Sequence, residues 1–184
     1  MRRLVVLLLG LLACAGTAQA QAPAEESQIK AAFVYNFLKF VDWPSASRRA
    51  DESLVVAIIG EGPTADAVVA FLTTKRVGDR PIVIRHLTWD QSLVGIQAAF
   101  VSENDAKKLR RIFDAAAAAG VLSIGESREF ASRGGVIGLL VEERKVRFDI
   151  DTEAADAAHL RISSKLLALG RVVRSNRTVV GATP

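Results

Sequence analysis

The chain has 184 residues, half of them hydrophobic, and a formal net charge of +4 at pH 7. This length suits one domain with one hydrophobic core. The sole cysteine, Cys14, lies in an N-terminal leader, so no disulfide can brace the remainder. No block of Lys and Arg interleaves with aromatic residues after the leader, which argues against nucleic-acid binding.

The first 20 residues have the layout of a secretory signal peptide. Arg2 and Arg3 give a positive start, residues 4–13 are apolar, and residues 18–20 form a small-x-small cleavage site. We expect cleavage after Ala20, which leaves residues 21–184 as a single exported domain with an ordered part of about 25–174. The net charge then falls to +2, with 22 basic and 20 acidic residues. The alternatives are an uncleaved membrane anchor and a lipoprotein modified at Cys14.

Residues 29–44, IKAAFVYNFLKFVDWP, predict an aromatic helix that ends before Pro44. Such a helix must dock on a core or on a partner, because its apolar face is wide. Three aromatic residues recur at helical spacing and should be core: Phe33, Phe37 and Phe40. Three other residues of this segment lie off that face and are candidates for contact with another chain: Tyr35, Lys39 and Trp43.

Strands and helices alternate through the next part of the chain. After a polar loop at 45–52, buried strands are predicted at 54–59, 81–87, 96–101 and 121–124. Helices are predicted over 64–74, over 103–119 with Ser102 as cap and Gly120 as stop, and over 127–132.

The last third begins with two strands, 136–141 and 146–150, whose short link at 142–145 suits a hairpin. Helices follow at 153–158 and about 163–173, and residues 178–180 could add an edge strand. The predicted class is a three-layer α/β fold, with a mostly parallel sheet, an antiparallel edge hairpin and about five flanking helices.

No motif supports an enzyme. Gly60 and Gly62 follow a strand, but Ala65 replaces the third glycine of a dinucleotide loop, so a tight turn is the simpler interpretation. His86 and His159 lack zinc-ligand spacing. Residues 163–165, Ser-Ser-Lys, do not match the SxxK motif of serine acyl enzymes and instead suit a helix cap. We therefore expect no catalytic residue, metal or cofactor.

One polar group near the end is a candidate site. Arg147 and Asp149 share a face of their strand, and Arg161, Ser163 and Ser164 follow closely enough to converge on its end. Guanidinium groups beside hydroxyls can bind a carboxylate or phosphate. The alternative, which we favour, is a structural clamp in which Asp149 is the nearest internal carboxylate.

Four segments together resemble the YfiR family of exported bacterial regulators: 31–44, 134–140 (GGVIGLL), 146–150 (VRFDI) and 160–167 (LRISSKLL). The resemblance implies a periplasmic α/β protein, often dimeric, without catalysis of its own. It implies binding to an inner-membrane signalling protein, either a diguanylate cyclase or a sensor kinase, and release by an outer-membrane lipoprotein. Redox gating, which is associated with this family, is excluded after cleavage because no cysteine remains.

The resulting hypothesis is a regulator that inhibits a diguanylate cyclase and lowers cyclic di-GMP, and hence biofilm formation. The alternative is a periplasmic sensor of a small anionic ligand. The expected partner- or ligand-binding residues come from the opening and closing motifs: Arg147, Arg161, Ser163, Ser164, Lys165, Tyr35, Lys39 and Trp43.

Overall fold

The computed structural model describes residues 21–43 and 53–175. The predicted signal peptide, the polar loop at 45–52 and the edge strand at 178–180 lie outside these residues. Within the described ranges no helix is both long and apolar enough to cross a membrane.

The main sheet has eight strands in the order β10-β8-β7-β6-β5-β2-β4-β3. Their bounds are β2 Leu54–Gly60, β3 Arg76–Val77, β4 Arg80–Leu87, β5 Ala98–Ser102, β6 Leu122–Gly125, β7 Ile137–Glu142, β8 Lys145–Asp151 and β10 Arg171–Val173. Two further strands, β1 (Val41–Asp42) and β9 (Arg161–Ile162), form a separate antiparallel ribbon.

The sheet is mostly parallel. Strands β4, β2, β5, β6 and β7 run parallel, whereas β8 returns antiparallel to β7. Glu143 and Arg144 make the turn with φ of 50° and 61°, the left-handed pair that a two-residue hairpin requires. The predicted α/β class is confirmed. The hairpin, however, lies one strand in from the edge, because β10 pairs parallel to β8 outside it.

Five helices flank the sheet: α1 Gln21–Phe40, α2 Pro63–Leu72, α3 Ala106–Ala119, α4 Thr152–Ala157 and α5 Ser164–Leu167. Helices α1 and α2 contribute Phe37 and Val68 to the core on one sheet face. Helix α3 contributes Leu109 and Phe113 to a second core on the other face. The sheet therefore lies between two helical layers, as the sequence predicted.

Two of the predicted helix boundaries are wrong. Helix α1 ends at Phe40, before Trp43. Helix α3 begins at Ala106 and is capped by Asp105, whose carboxylate accepts hydrogen bonds from two backbone amides at 2.9 Å. Ser102 instead donates a hydrogen bond to the Glu61 carbonyl at 2.9 Å. Asp105 rather than Ser102 caps α3, because an ionised carboxylate both accepts the amide hydrogen bonds and interacts favourably with the positive end of the helix dipole.

Residues 127–132 form turns rather than the predicted helix. The buried ring of Phe130 lies against Gly125 and Gly135, where an added Cβ would stand 2.3 and 2.1 Å from it. The same ring packs edge-on against Phe113, with 4.9 Å between centroids. Burial of this one ring therefore determines how the segment folds.

The predicted helix at 163–173 is also wrong, because the segment divides into α5 and β10. Gly170 separates the two elements. A Cβ there would lie 2.5 Å from the ring of Phe148, so only glycine lets the chain pass this close to β8.

The opening helix packs as its aromatic pattern predicts, with one difference. Phe37 is fully buried and meets Phe148 of β8 edge-on, with 4.9 Å between ring centroids. Phe33 and Phe40 contact the same core but are only partly buried. Phe37 is thus the central contact between α1 and the sheet.

Replacing Phe37 with alanine should lower the free energy of unfolding by about 3–5 kcal/mol, because it leaves a cavity between α1 and β8. Urea denaturation followed by circular dichroism measures this loss. The control is Val94→Ala, at a side chain that is 79% exposed, and it should change stability by less than about 0.5 kcal/mol. A loss below about 1.5 kcal/mol for Phe37→Ala would show that this contact is not central.

Candidate functional site

The structure brings the opening and closing motifs together. Val41 pairs with Ile162 and Asp42 with Arg161 in the β1–β9 ribbon. The Ser163 amide donates a hydrogen bond to the Phe40 carbonyl at 3.0 Å. Two segments from opposite ends of the sequence therefore form one unit at the C-terminal end of α1.

Ser163 caps α5, as the sequence predicted. Its hydroxyl accepts a hydrogen bond from the Leu166 amide at 3.3 Å, and Leu166 anchors the short helix in the core. Ser164 and Lys165 occupy the first turn with exposed side chains. Ser163 therefore has a structural role, while its two neighbours remain accessible.

Tyr35 and Lys39 lie together on α1. The Tyr35 hydroxyl donates to the Arg76 carbonyl at 2.8 Å, and its ring lies 6.1 Å from that of Phe71. The ammonium of Lys39 lies 5.4 Å from the centroid of the Tyr35 ring. Tyr35 is half-buried, whereas Lys39 is exposed. Tyr35 thus ties α1 to β3, and Lys39 faces solvent.

Trp43 does not lie on an accessible surface. Its side chain is only 6% exposed and belongs to the core beneath α1. The indole NH donates a hydrogen bond to the Gln97 carbonyl at 2.7 Å. The expectation that Trp43 lies away from the core is therefore wrong. The chain is extended after Phe40, and the alternation of a strand replaces that of a helix.

Four exposed side chains flank this unit and are called the junction surface: Lys39, Arg161, Ser164 and Lys165. Three of them are cationic. Arg161 lies on β9, Ser164 and Lys165 lie on α5, and Lys39 lies on α1. The surface therefore depends on the ribbon that joins the two motifs.

Arg147 does not join this surface. The neighbours of Arg147 on β8, Phe148 and Ile150, face α1 and its core, so Arg147 points to the opposite side of the sheet. Arg161 belongs to the ribbon on the α1 side. The predicted convergence of Arg147 with Arg161 at the end of the strand is therefore wrong.

Asp149 pairs with a different arginine from the one expected. Its two carboxylate oxygens accept hydrogen bonds from Arg171 at 2.8 and 3.0 Å. Arg171 also reaches Glu142 at 3.2 Å. The clamp thus links β10 to β8 and β7, and these carboxylates raise the pKa of Arg171 above its usual value. Arg171 could not be identified from the sequence, because the pattern there predicts a helix rather than a strand.

A second polar cluster, absent from the sequence predictions, lies about midway along α1. The buried ammonium of Lys30 contacts Glu26 at 2.7 Å and Glu126 at 2.8 Å. The Thr64 hydroxyl donates to the same Glu126 oxygen at 2.8 Å. Glu126 follows β6, and Thr64 lies in the first turn of α2, where a carboxylate is favoured. The cluster therefore connects α1, α2 and the sheet.

A cavity of about 760 Å³ opens beside this cluster. Ile29, Val141 and Val146 form its apolar wall, and Arg144 and Lys145 lie at the hairpin. The ammonium of Lys30 is occupied by two carboxylates, so the cluster stabilises the packing of α1 rather than activating a nucleophile. Among residues 21–43 and 53–175 no group of His, Cys, Asp or Glu is placed to hold a metal ion.

Burial of Lys30 by itself favours the neutral amine, but hydrogen bonds to Glu126 and Glu26 outweigh burial and raise its pKa above 10.5. The stabilisation from this charge is therefore complete below the unfolded-state pKa, and it is lost as pH rises through the folded-state pKa.

Lys30→Met should destabilise the protein at pH 7 by about 3 kcal/mol, because two carboxylates lose their shared partner. The difference from wild type should shrink above about pH 10.5. Urea titrations from pH 7 to 11 measure both effects. A difference that stays constant to pH 11 would show that the Lys30 charge does not carry the stabilisation.

Comparison with known proteins places the chain in a family. No curated protein matches. A crystal structure of a conserved domain protein from Vibrio cholerae O1 biovar El Tor aligns with a TM-score of 0.54 and 11% identity. The alignment covers 79% of this chain and 59% of that protein, and at this identity it shows the fold alone. The YfiR/HmsC-like family model matches residues 27–171, which include both motifs, so the chain belongs to the YfiR/HmsC-like family.

Proposed function

We propose that this chain is a non-enzymatic periplasmic regulator that binds the periplasmic part of a membrane signalling protein and inhibits a diguanylate cyclase. Family membership supports the general role, because the YfiR/HmsC-like family suggests regulation of cyclic di-GMP signalling from the periplasm. The inhibited enzyme, the outer-membrane lipoprotein and the homodimer remain predictions.

The observation that carries the proposal is the family match over residues 27–171. It includes the opening and closing motifs, which are two of the four segments that carry the resemblance, and these two motifs meet in space. Lys39, Arg161 and Lys165 make this surface cationic, which favours an acidic partner and speeds encounter with it. This arrangement supports our proposal that the junction surface binds a protein.

The inhibition needs no chemistry from this chain. If the protein binds only the inactive arrangement of the cyclase, binding shifts the population of the cyclase toward that state. A shift from 1% to 99% inactive requires about 5.5 kcal/mol of differential affinity. A rigid surface built from two motifs is suited to such discrimination between two arrangements of a partner.

The geometry favours this role over an anionic-ligand sensor. The sensor hypothesis required Arg147, Arg161 and the serine hydroxyls to converge. Arg147 lies on the opposite side of the sheet, and the Ser163 hydroxyl is engaged as a helix cap.

Deleting the gene should raise cyclic di-GMP and surface attachment in the native host, because the cyclase loses its inhibitor. Wild-type protein should restore the low level. A charge-reversed variant, Arg161→Glu with Lys165→Glu, should not, because an acidic partner would be repelled. Mass spectrometry of extracted nucleotide measures the level.

The matched control is Lys107→Glu, an exposed lysine on α3 on the other sheet face, which should restore the low level fully. Unchanged cyclic di-GMP after deletion, in cells that express a membrane diguanylate cyclase, would exclude the proposed inhibition. Full restoration by the charge-reversed variant would exclude the junction surface as the binding site.

A further inference from the structure

The two ends of the eight-stranded sheet differ in how they are protected. At one end, the Tyr35 hydroxyl donates a hydrogen bond to the Arg76 carbonyl of β3, and the Arg76 side chain donates one to the Asp79 carbonyl. Side chains therefore block that edge. At the other end, β10 pairs with β8 on one side only. Within the described residues no hydrogen bond reaches the outer side of β10.

The outer strand also carries apolar surface. Val172, in the middle of β10, is 52% exposed, and Leu169, just before it, is 75% exposed. Exposed edge strands are normally protected by charge, proline or a bulge because they pair readily with other strands. Here the middle residue of β10 is an exposed valine, and the one charged side chain of the strand, Arg171, is turned back toward Asp149 and Glu142.

We propose that β10 is a docking edge for an extended segment of the partner, which adds a ninth strand to the sheet. This inference rests on the proposed function, since the partner is the periplasmic part of the membrane signalling protein. Unpaired backbone groups bind an extended segment through main-chain hydrogen bonds, and exposed side chains along the edge select its sequence.

The chemistry of the segment follows from the side chains around the edge. An apolar residue of the added segment should lie opposite Val172, because the side chains of directly opposite residues on neighbouring strands contact each other on the same face. Lys165, on the helix that leads to β10, and Arg147, on the adjacent strand, have exposed side chains with no ion pair in the described part of the chain. The nearby carboxylates Asp149 and Glu142 are engaged by Arg171. The segment should therefore combine apolar with acidic residues.

Residues 21–184 contain no cysteine, which permits a clean test. Val172→Cys carries a cysteine-linked benzophenone and is added to spheroplasts of the native host that lack the gene. The control label is at Val94→Cys, an exposed valine outside the strands. A third label, at Lys39→Cys, reports on the junction surface. Thermal melts first verify that all three labelled proteins are folded, and mass spectrometry then identifies each cross-linked peptide.

We expect the label at position 172 to cross-link at least tenfold more than the label at 94. Its target should be an extended acidic and apolar segment of a membrane signalling protein. Cross-links from 172 only to residues 176–184 of its own chain, only to another class of protein, or to nothing would overturn the inference. If the label at 39 still reaches the signalling protein, the proposed function survives that failure. If no label reaches it, the proposed function fails as well.

Discussion

The packing of α1 on the sheet is the interaction on which the other features depend. Its aromatic face must be removed from water, and Phe37 achieves this by burying its ring against Phe148 of β8. Midway along the helix, Lys30 holds it to Glu126 through a buried ion pair. At its end, the β1–β9 ribbon joins it to the closing motif. One helix thus positions both the cavity and the junction surface.

This arrangement has a functional consequence. A regulator that acts by binding must present the same surface in every molecule, because any disorder of that surface lowers its affinity. The residues of the junction surface lie on three elements, α1, β9 and α5. The hydrogen bond from the Ser163 amide to the Phe40 carbonyl holds one motif against the other. The core therefore holds these elements in place, while the cationic side chains remain exposed.

Much of the fold could be predicted from the sequence because strands such as β2 are continuous apolar runs, while β8 alternates apolar and charged residues. The site could be predicted only in part. The direction of the Trp43 side chain depends on where α1 gives way to β1, and a helical pattern cannot show that transition. The Asp149–Arg171 pair joins residues on strands that no local spacing relates. The role of Lys30 could not be predicted from the sequence, because only the fold brings Glu126 and Thr64 close to it.

The most direct test of the central claim is the affinity of the purified mature protein for right-side-out membrane vesicles from a host strain that lacks the gene. Lys39→Glu and Lys165→Glu alter the two motifs separately. If the motifs form one binding surface, each change should weaken saturable binding about tenfold, or about 1.4 kcal/mol, while Lys107→Glu leaves it within about twofold. Unchanged affinity for either motif variant, with unchanged thermal stability, would contradict a shared surface.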